Sequence, residues 1–409
     1  MRVAFVVPTL APSGGIDVVM RHVALLRERH GWDVGVVVVD PLPAPSRETQ
    51  LTLRPTEAAA TDWDVVVATW WTTWDAAMEI TARRHALLLQ GVDERFYDWR
   101  QPFERLAASA ALAEAGAIIA VSGHLGEVVG AQRRDAEVHV VRNGLDRGTF
   151  GSVKAARNET SEPRPLEILI EGQRNLPLKG VEDAVAAVRA MREPARSTLV
   201  AIDPSVVDSE GVDRLVGALD PAAMAKLYAS CDVVLKLSRA EGLGLPPLEA
   251  AAAGTPSVVT PYGGHADWLR HGVNGVEVGF DDIPGTAAWL DRLATDRALL
   301  TRLGAGAAAT AGQWPTVEES ADAMADAVLA IASREPAAAA SADRAVARSI
   351  ARNVDLGRVA VDRIKREHAD RHMDLLVSSK TYRLSERMRR AWWLVRDAPS
   401  TLRRGGGRR

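Results

Sequence analysis

A repeated rhythm constrains this chain more than any single motif. Short runs of Val, Ile, Leu and Ala fall at residues 3–7, 34–39, 65–68, 86–89, 117–121 and 138–141, with amphipathic stretches such as 17–29 and 102–115 between them. Apolar runs without in–out alternation belong to parallel strands buried on both faces, and the intervening helices cover them. The rhythm stops across residues 148–165, a polar segment carrying Gly, Ser, Asn, Glu, Pro and Arg, which reads as a linker. It then restarts, with strands at 167–171, 198–202, 233–237 and 257–259 and helices at 181–191, 221–229, 247–253 and 287–294. The chain is therefore expected to hold two doubly wound α/β domains, at residues 1–150 and 160–334. At 409 residues it also exceeds what one core supports, roughly 250–300 residues. No shorter internal repeat is visible.

Residues 335–409 differ in character. Glu335-Pro336 is followed by AAAASADRA and a strongly helical segment to about Leu376. The last stretch, 381–409, carries nine arginines against Glu386 and Asp397, with Trp392 and Trp393 among them. Such a mixture suits a helix lying in an anionic membrane surface, and equally a solvated basic terminus.

The remaining composition excludes more than it assigns. A net charge of −3 gives no case for nucleic-acid binding. The single cysteine, Cys231 in LYASCDVVL, cannot form an internal disulfide and reads as a small core residue in a reducing cytoplasm. No apolar run reaches the roughly 18 residues of a membrane span. The opening MRVAFVVPTL has its apolar stretch cut short by Pro8, so it reads as a first strand rather than a signal peptide.

Three loops carry candidate chemistry. After the first strand, Gly14-Gly15 open a helix, where backbone N–H groups and the helix dipole favour an anion. GxGxxG is absent, which argues against an ordinary dinucleotide fold. After the strand at 167–171 comes EGQRNLPLKG, with Arg174 and Lys179 placed for a phosphate pair. After the strand at 233–237 comes RAEGLGLPPLEA. Glu241 lies in the loop, Gly242 and Gly244 free the backbone there, and Glu249 sits near the first turn of the next helix. Two carboxylates at the ends of a glycine loop can hold hydroxyls on two parts of one ligand. Glu249 also has a bland reading as a helix N-terminal acid.

The run SRAEGLGLPPLEAAAAGTPSVVTPYGGHADWLRHGVNGVEV resembles the C-terminal half of retaining GT-B glycosyltransferases of the group 1, or family 4, type. Further pieces fit in order: Gly14-Gly15, VVRNGLDRGTF, the Arg174…Lys179 pair and Glu241…Glu249. The resemblance covers about residues 1–330. It implies two Rossmann-like domains facing across a cleft and a nucleotide diphospho-sugar as co-substrate in the second, with no further cofactor. By the same resemblance Arg174 and Lys179 neutralise the leaving diphosphate and Glu249 holds the ribose. Glu241, with the backbone of Gly242, Leu243, Gly244 and Leu245, holds the sugar and phosphate, and Gly14-Gly15 face the diphosphate. Arg174, Lys179 and Glu241 are then the catalytic set. No DxD-type metal site is found, and Asp281-Asp282 read as a turn.

Where the family often places a cleft histidine, this chain has HALLLQGVDERFYDW. That segment is similar to one in some bacterial surface-polysaccharide rhamnosyltransferases. It makes Gln90 and Asp93 cleft candidates, with His124 a third and Trp71, from the cluster Trp63, Trp70, Trp71 and Trp74, a fourth. The tryptophans read either as packing or as a stacking surface for a glycan or lipid-linked acceptor. The expectation is a cytoplasmic glycosyltransferase of surface-glycan assembly, peripheral on the inner face of the membrane. A nucleotide-sugar epimerase of the same fold and a non-catalytic partner subunit stay open as alternatives.

Overall fold

The computed structural model describes residues 1–11, 13–39, 52–97, 101–153, 164–201 and 209–335. The basic tail and most of the linker lie outside the described residues.

The two halves form two wholly parallel sheets. The first contains β1 (Arg2–Val7), β2 (Asp33–Val38), β3 (Thr52–Leu53), β4 (Trp63–Ala68), β5 (Ala82–Leu89), β6 (Ala117–Ala120) and β7 (Glu137–Val140), in the order β3-β2-β1-β4-β5-β6-β7. The second contains β8 (Leu166–Glu171), β9 (Ala195–Val200), β10 (Arg214–Val216), β11 (Val233–Lys236), β12 (Ser257–Val259) and β13 (Gly275–Glu277), in the order β10-β9-β8-β11-β12-β13. Both run outward from their first strand in one direction and then reverse. The reversals lie between β1 and β4, paired Val3 to Val65, and between β8 and β11, paired Leu169 to Val234. Ligands of open α/β sheets bind outside the carboxyl ends of strands at such reversals. All three loops singled out above follow β1, β8 or β11.

The apolar runs are buried on both faces, as their sequence requires. In the second sheet Leu169, Val234 and Val259 pack into one cluster with Tyr228, Leu248 and Trp268. Their strand neighbours Ile168, Ile170, Leu235 and Val258 pack on the other face with Val185 and Leu290. Cys231 lies in the first of these clusters, and burial pushes its thiol up to about 12. Three short strands, β3, β10 and β13, have no counterpart among the runs read from sequence. β5 begins at Ala82, earlier than its apolar run, because Arg84 is held in place there by Glu137 and by the Ile331 carbonyl.

The last described helix, Val317–Ser333, crosses back to the first sheet and packs against the helix Gly14–His30 and against β4 and β5. Asp322 on it accepts from Arg29 at 3.0 and 2.7 Å. Trp314, just before it, donates to the Asn143 carbonyl. The helix Val317–Ser333 and Trp314 thereby tie the end of the second half to the first.

Candidate functional site

Glu241 is the centre of the site. Its loop is tethered by a backbone hydrogen bond from Glu241 to the Tyr262 carbonyl. Lys179 Nζ donates to both carboxylate oxygens, at 3.0 and 3.1 Å, and Ser238 Oγ donates to Oε1 at 2.9 Å. A second ammonium, Lys236 Nζ, lies 3.3 Å from Oε1. The Glu241 side chain is 14% exposed. Burial on its own raises a carboxyl, but the Lys236 and Lys179 charges and the Lys179 and Ser238 hydrogen bonds outweigh it and hold Glu241 down to about 2. It is therefore an ionised acceptor at any physiological pH.

Lys236 was not among the site residues expected from sequence. It ends β11, its side chain is 1% exposed, and it also pairs with Glu171 at the end of β8. Burial favours the neutral amine, yet Glu171 and Glu241 together keep Lys236 above the usual lysine range.

Arg174 occupies a different place from the one expected. Its guanidinium grips Glu182 with two hydrogen bonds of 2.6 and 2.9 Å and donates to the Glu210 carbonyl at 2.8 Å. The structure brings Lys179 to Glu241 and leaves Arg174 in the loop, paired with Glu182 of the next helix, Val181–Arg189. Glu249 lies beyond the first turn expected for it: it is the fifth residue of the eight-residue helix Leu245–Ala252, because the helix starts two residues before Pro247. It is partly buried and accepts from Tyr228 O–H at 3.1 Å. Burial pushes its carboxyl up to about 7, aided by the Glu171 and Asp146 charges and opposed by the Tyr228 hydrogen bond.

The first domain closes on this loop from the other side. Gly242 packs directly on the Gln90 carbonyl, where any Cβ would overlap the oxygen. Gln90 ends the strand run of β5, donates to the Thr69 carbonyl at 3.1 Å and lies against Gly15, whose Cβ position is 2.9 Å from Gln90 Oε1. The helix Gly14–His30 begins at the paired glycines and is capped by Ser13. Gly15, Gln90 and Gly242 thus meet, with Glu241 next to Gly242 in the chain, whereas a Cβ at Gly14 would touch nothing.

His124 meets Gly263, which takes a φ of +103° that a side chain would strain. Burial lowers the His124 imidazole below its ordinary value, with the Arg95 charge adding to it. The Gly123 and His124 N–H groups donate to Asp267 at 2.7 and 3.0 Å. This carboxylate from the second domain caps a first-domain helix, a contact that depends on how the two sheets face and that no local pattern announces.

The tryptophans divide. Trp63 is buried at the start of β4 and donates to the Ala58 carbonyl, away from the strand ends that form the cleft. Trp74 is buried too, and Trp71 is 8% exposed with its indole N–H on Tyr97 O–H at 3.0 Å. Only Trp70, edge-on to Phe96, is partly open to solvent. Asp93 beside them is buried, its Oδ1 lacks a partner among the described residues, and burial pushes the carboxyl up to about 8 against a hydrogen bond from the Trp71 backbone. Among the described residues no group of three or more His, Cys, Asp or Glu side chains is placed to hold a metal ion. Asp282 caps the helix Ile283–Thr295, as the turn reading anticipates.

Solved structures share this two-sheet architecture. Sucrose-phosphate synthase from Thermosynechococcus elongatus superposes with a TM-score of 0.63 at 18% identity, over 80% of this chain and 97% of that one. HepE from Anabaena, solved with UDP-glucose, gives 0.66 at 18% identity over 81% and 100%. The fold is GT-B. Within this GT-B chain, residues 167–296 match the family model described as Glycosyl transferases group 1. That segment holds Glu171, Arg174, Lys179, Lys236, Glu241 and Glu249. Among curated proteins, glycogen synthase from Mycobacterium tuberculosis is 32% identical over 41% of this chain and 42% of its own length. D-inositol 3-phosphate glycosyltransferase from Stackebrandtia nassauensis is 31% identical over 51% and 53%. The chain thus spans about half the length of the curated relatives it matches.

Proposed function

We propose that this protein transfers a sugar from a nucleotide diphospho-sugar, held at the carboxyl end of the second sheet, to a glycan or lipid-linked acceptor approaching from the first. The observation that carries the proposal is the Lys179–Glu241 pair at the β8/β11 reversal, inside the segment matching Glycosyl transferases group 1. An ionised carboxylate there accepts sugar hydroxyls. An ammonium beside it meets the negative charge that grows on the diphosphate as the glycosidic C–O bond breaks, which is where preplaced cations lower the barrier most. Glu249, one helix turn into the adjoining helix, takes the ribose hydroxyls. Gly14-Gly15 and their helix N-terminus face the phosphates from across the cleft. Arg174 joins them by exchanging Glu182 for phosphate. Gln90, His124 and the partly open ring of Trp70 form the acceptor side, with the buried Trp71 and Asp93 packed behind them.

The finer reading is retention of anomeric configuration, no requirement for metal, and a rhamnosyl donor used in bacterial surface-polysaccharide assembly at the inner face of the membrane. It rests on the sequence resemblance and on the segment at residues 90–97. Thermal stabilisation by UDP, dTDP, GDP and ADP, each with its common sugar conjugates, tests the proposal. One diphosphate series should raise the melting temperature, the sugar conjugate adding to the diphosphate. A flat response across the panel would sink it.

A further inference from the structure

The two cations of the second sheet's switch point hold Glu241 in different ways. Lys179 comes from the 3₁₀ turn Pro177–Lys179 and is 25% exposed. Lys236 comes from the end of a central strand, is 1% exposed, and is pinned by the Glu171 carboxylate and by the Glu171 backbone carbonyl at 3.3 Å. The first can swing; the second cannot. This difference matters because a diphosphate at Lys179 competes with Glu241 for one ammonium group. Were Lys179 its sole cation, the exchange would leave a largely buried carboxylate unpaired at the moment it must accept sugar hydroxyls. An unpaired buried carboxylate takes up a proton and ceases to be a good acceptor.

Resting on the donor-site reading above, we propose that Lys236 is a positioning residue: braced by Glu171, it stays bound to Glu241 when Lys179 turns to the donor diphosphate. The groups facing Glu241 are Lys179, Lys236, Ser238 and Tyr262, and those facing Lys236 are Glu171 and Glu241. Among these, only Lys236 can supply a positive charge that no ligand removes. Glu171 also acts on Glu249 and Tyr228 through its charge, so the same brace lies beside the proposed ribose site.

The first test needs no ligand. Lys236→Met keeps the apolar stem and removes the charge, so Glu171 and Glu241 face each other with Lys179 as their sole cation. Without the Lys236 charge Glu241 is no longer held as far down, and the variant regains stability relative to wild type as the pH falls. The melting-temperature deficit should be large at pH 8 and at least halved at pH 4.5. A deficit that does not change with pH means that Lys236 only packs, and overturns the proposal. Should Lys236→Met fail to fold, Lys236→Met/Glu171→Gln should fold, because it restores neutrality around Lys179 and Glu241; a double variant that fails as well overturns the charge argument.

The second test titrates whichever of UDP, dTDP, GDP or ADP stabilises the wild type, by calorimetry at pH 6 in two buffers of different ionisation heat. The Lys236→Met protein, or the double variant, should take up about half a proton or more beyond wild type on binding, as Glu241 loses Lys179. Lys236→Arg should behave as wild type does. Equal proton uptake in all three overturns the proposal. Failure of UDP, dTDP, GDP and ADP alike to bind even the wild type counts instead against the donor-site reading, and the ligand-free test still decides the role of Lys236.

Discussion

Replacing Asp267 by alanine should loosen the cleft before it unfolds either domain. Asp267 ends the turn Gly264–Asp267 of the second domain, and its side chain is 5% exposed. It accepts from the Gly123 and His124 N–H groups of a first-domain helix at 2.7 and 3.0 Å and from Arg142 Nε at 2.9 Å. Hydrogen bonds to a charged group contribute roughly 1.5–3 kcal/mol each. Arg142 is 46% exposed, so its share falls under about 1 kcal/mol. These terms are not additive, and about 3 kcal/mol is a fair value for the set. At about 1.4 kcal/mol per tenfold, the open form gains roughly a hundredfold in population. Small-angle scattering should then show a larger radius of gyration for Asp267→Ala, with Asp267→Asn in between because it keeps one acceptor oxygen. The helix Gly123–Gln132 also loses the anion at its N-terminus, so its amides should exchange faster with solvent. Scattering and exchange identical to wild type would refute the reasoning.

Two titrations should be visible. Glu249 is pushed up to about 7, above its unfolded value near 4.5, so its contribution to apo stability is full below about 4.5 and is lost as the pH rises through 7. Nucleotide binding runs the other way, since ribose hydroxyls favour the carboxylate: between pH 6 and 8 affinity should rise more steeply in wild type than in Glu249→Gln, where only the ligand's terminal phosphate ionises, and equal slopes would refute the ribose assignment. Asp93, pushed up to about 8, should destabilise the fold progressively as the pH climbs from about 4 to 8. Asp93→Asn mimics the protonated carboxyl and should melt higher than wild type at pH 8 and close to it at pH 4; a lower melting temperature at pH 8 would show that Asp93 is ionised and paired.

The legible parts of this protein were those whose physics is local. Residues 3–7, 65–68 and 233–236 announced central strands because burial on both faces demands an unbroken apolar run. β3 and β10 escaped because edge strands of two or three residues need no such run. The spacing of Lys179 and Glu241 from their strands puts both loops at the carboxyl ends of strands beside a sheet reversal, but it pairs Lys179 with Arg174 and gives no sign of the direct Lys179–Glu241 contact. Lys236 carried a signal that was passed over: a lysine within VVLKLS, in an otherwise apolar strand, must have a buried carboxylate partner. The Arg174–Glu182 pair and the Asp267 cap had no such signal. One depends on a rotamer choice among several acids, and the other on the packing of two domains more than a hundred residues apart in the chain.

The central claim is that Lys179 holds the diphosphate of the donor. It is tested most directly by calorimetric titration of the stabilising nucleoside diphosphate, and of its monophosphate, into wild type and Lys179→Ala. The account predicts that the variant binds the diphosphate about tenfold to a hundredfold more weakly, the loss expected for a charge-assisted phosphate contact, with little change for the monophosphate. Equal diphosphate affinity in the two proteins would contradict it.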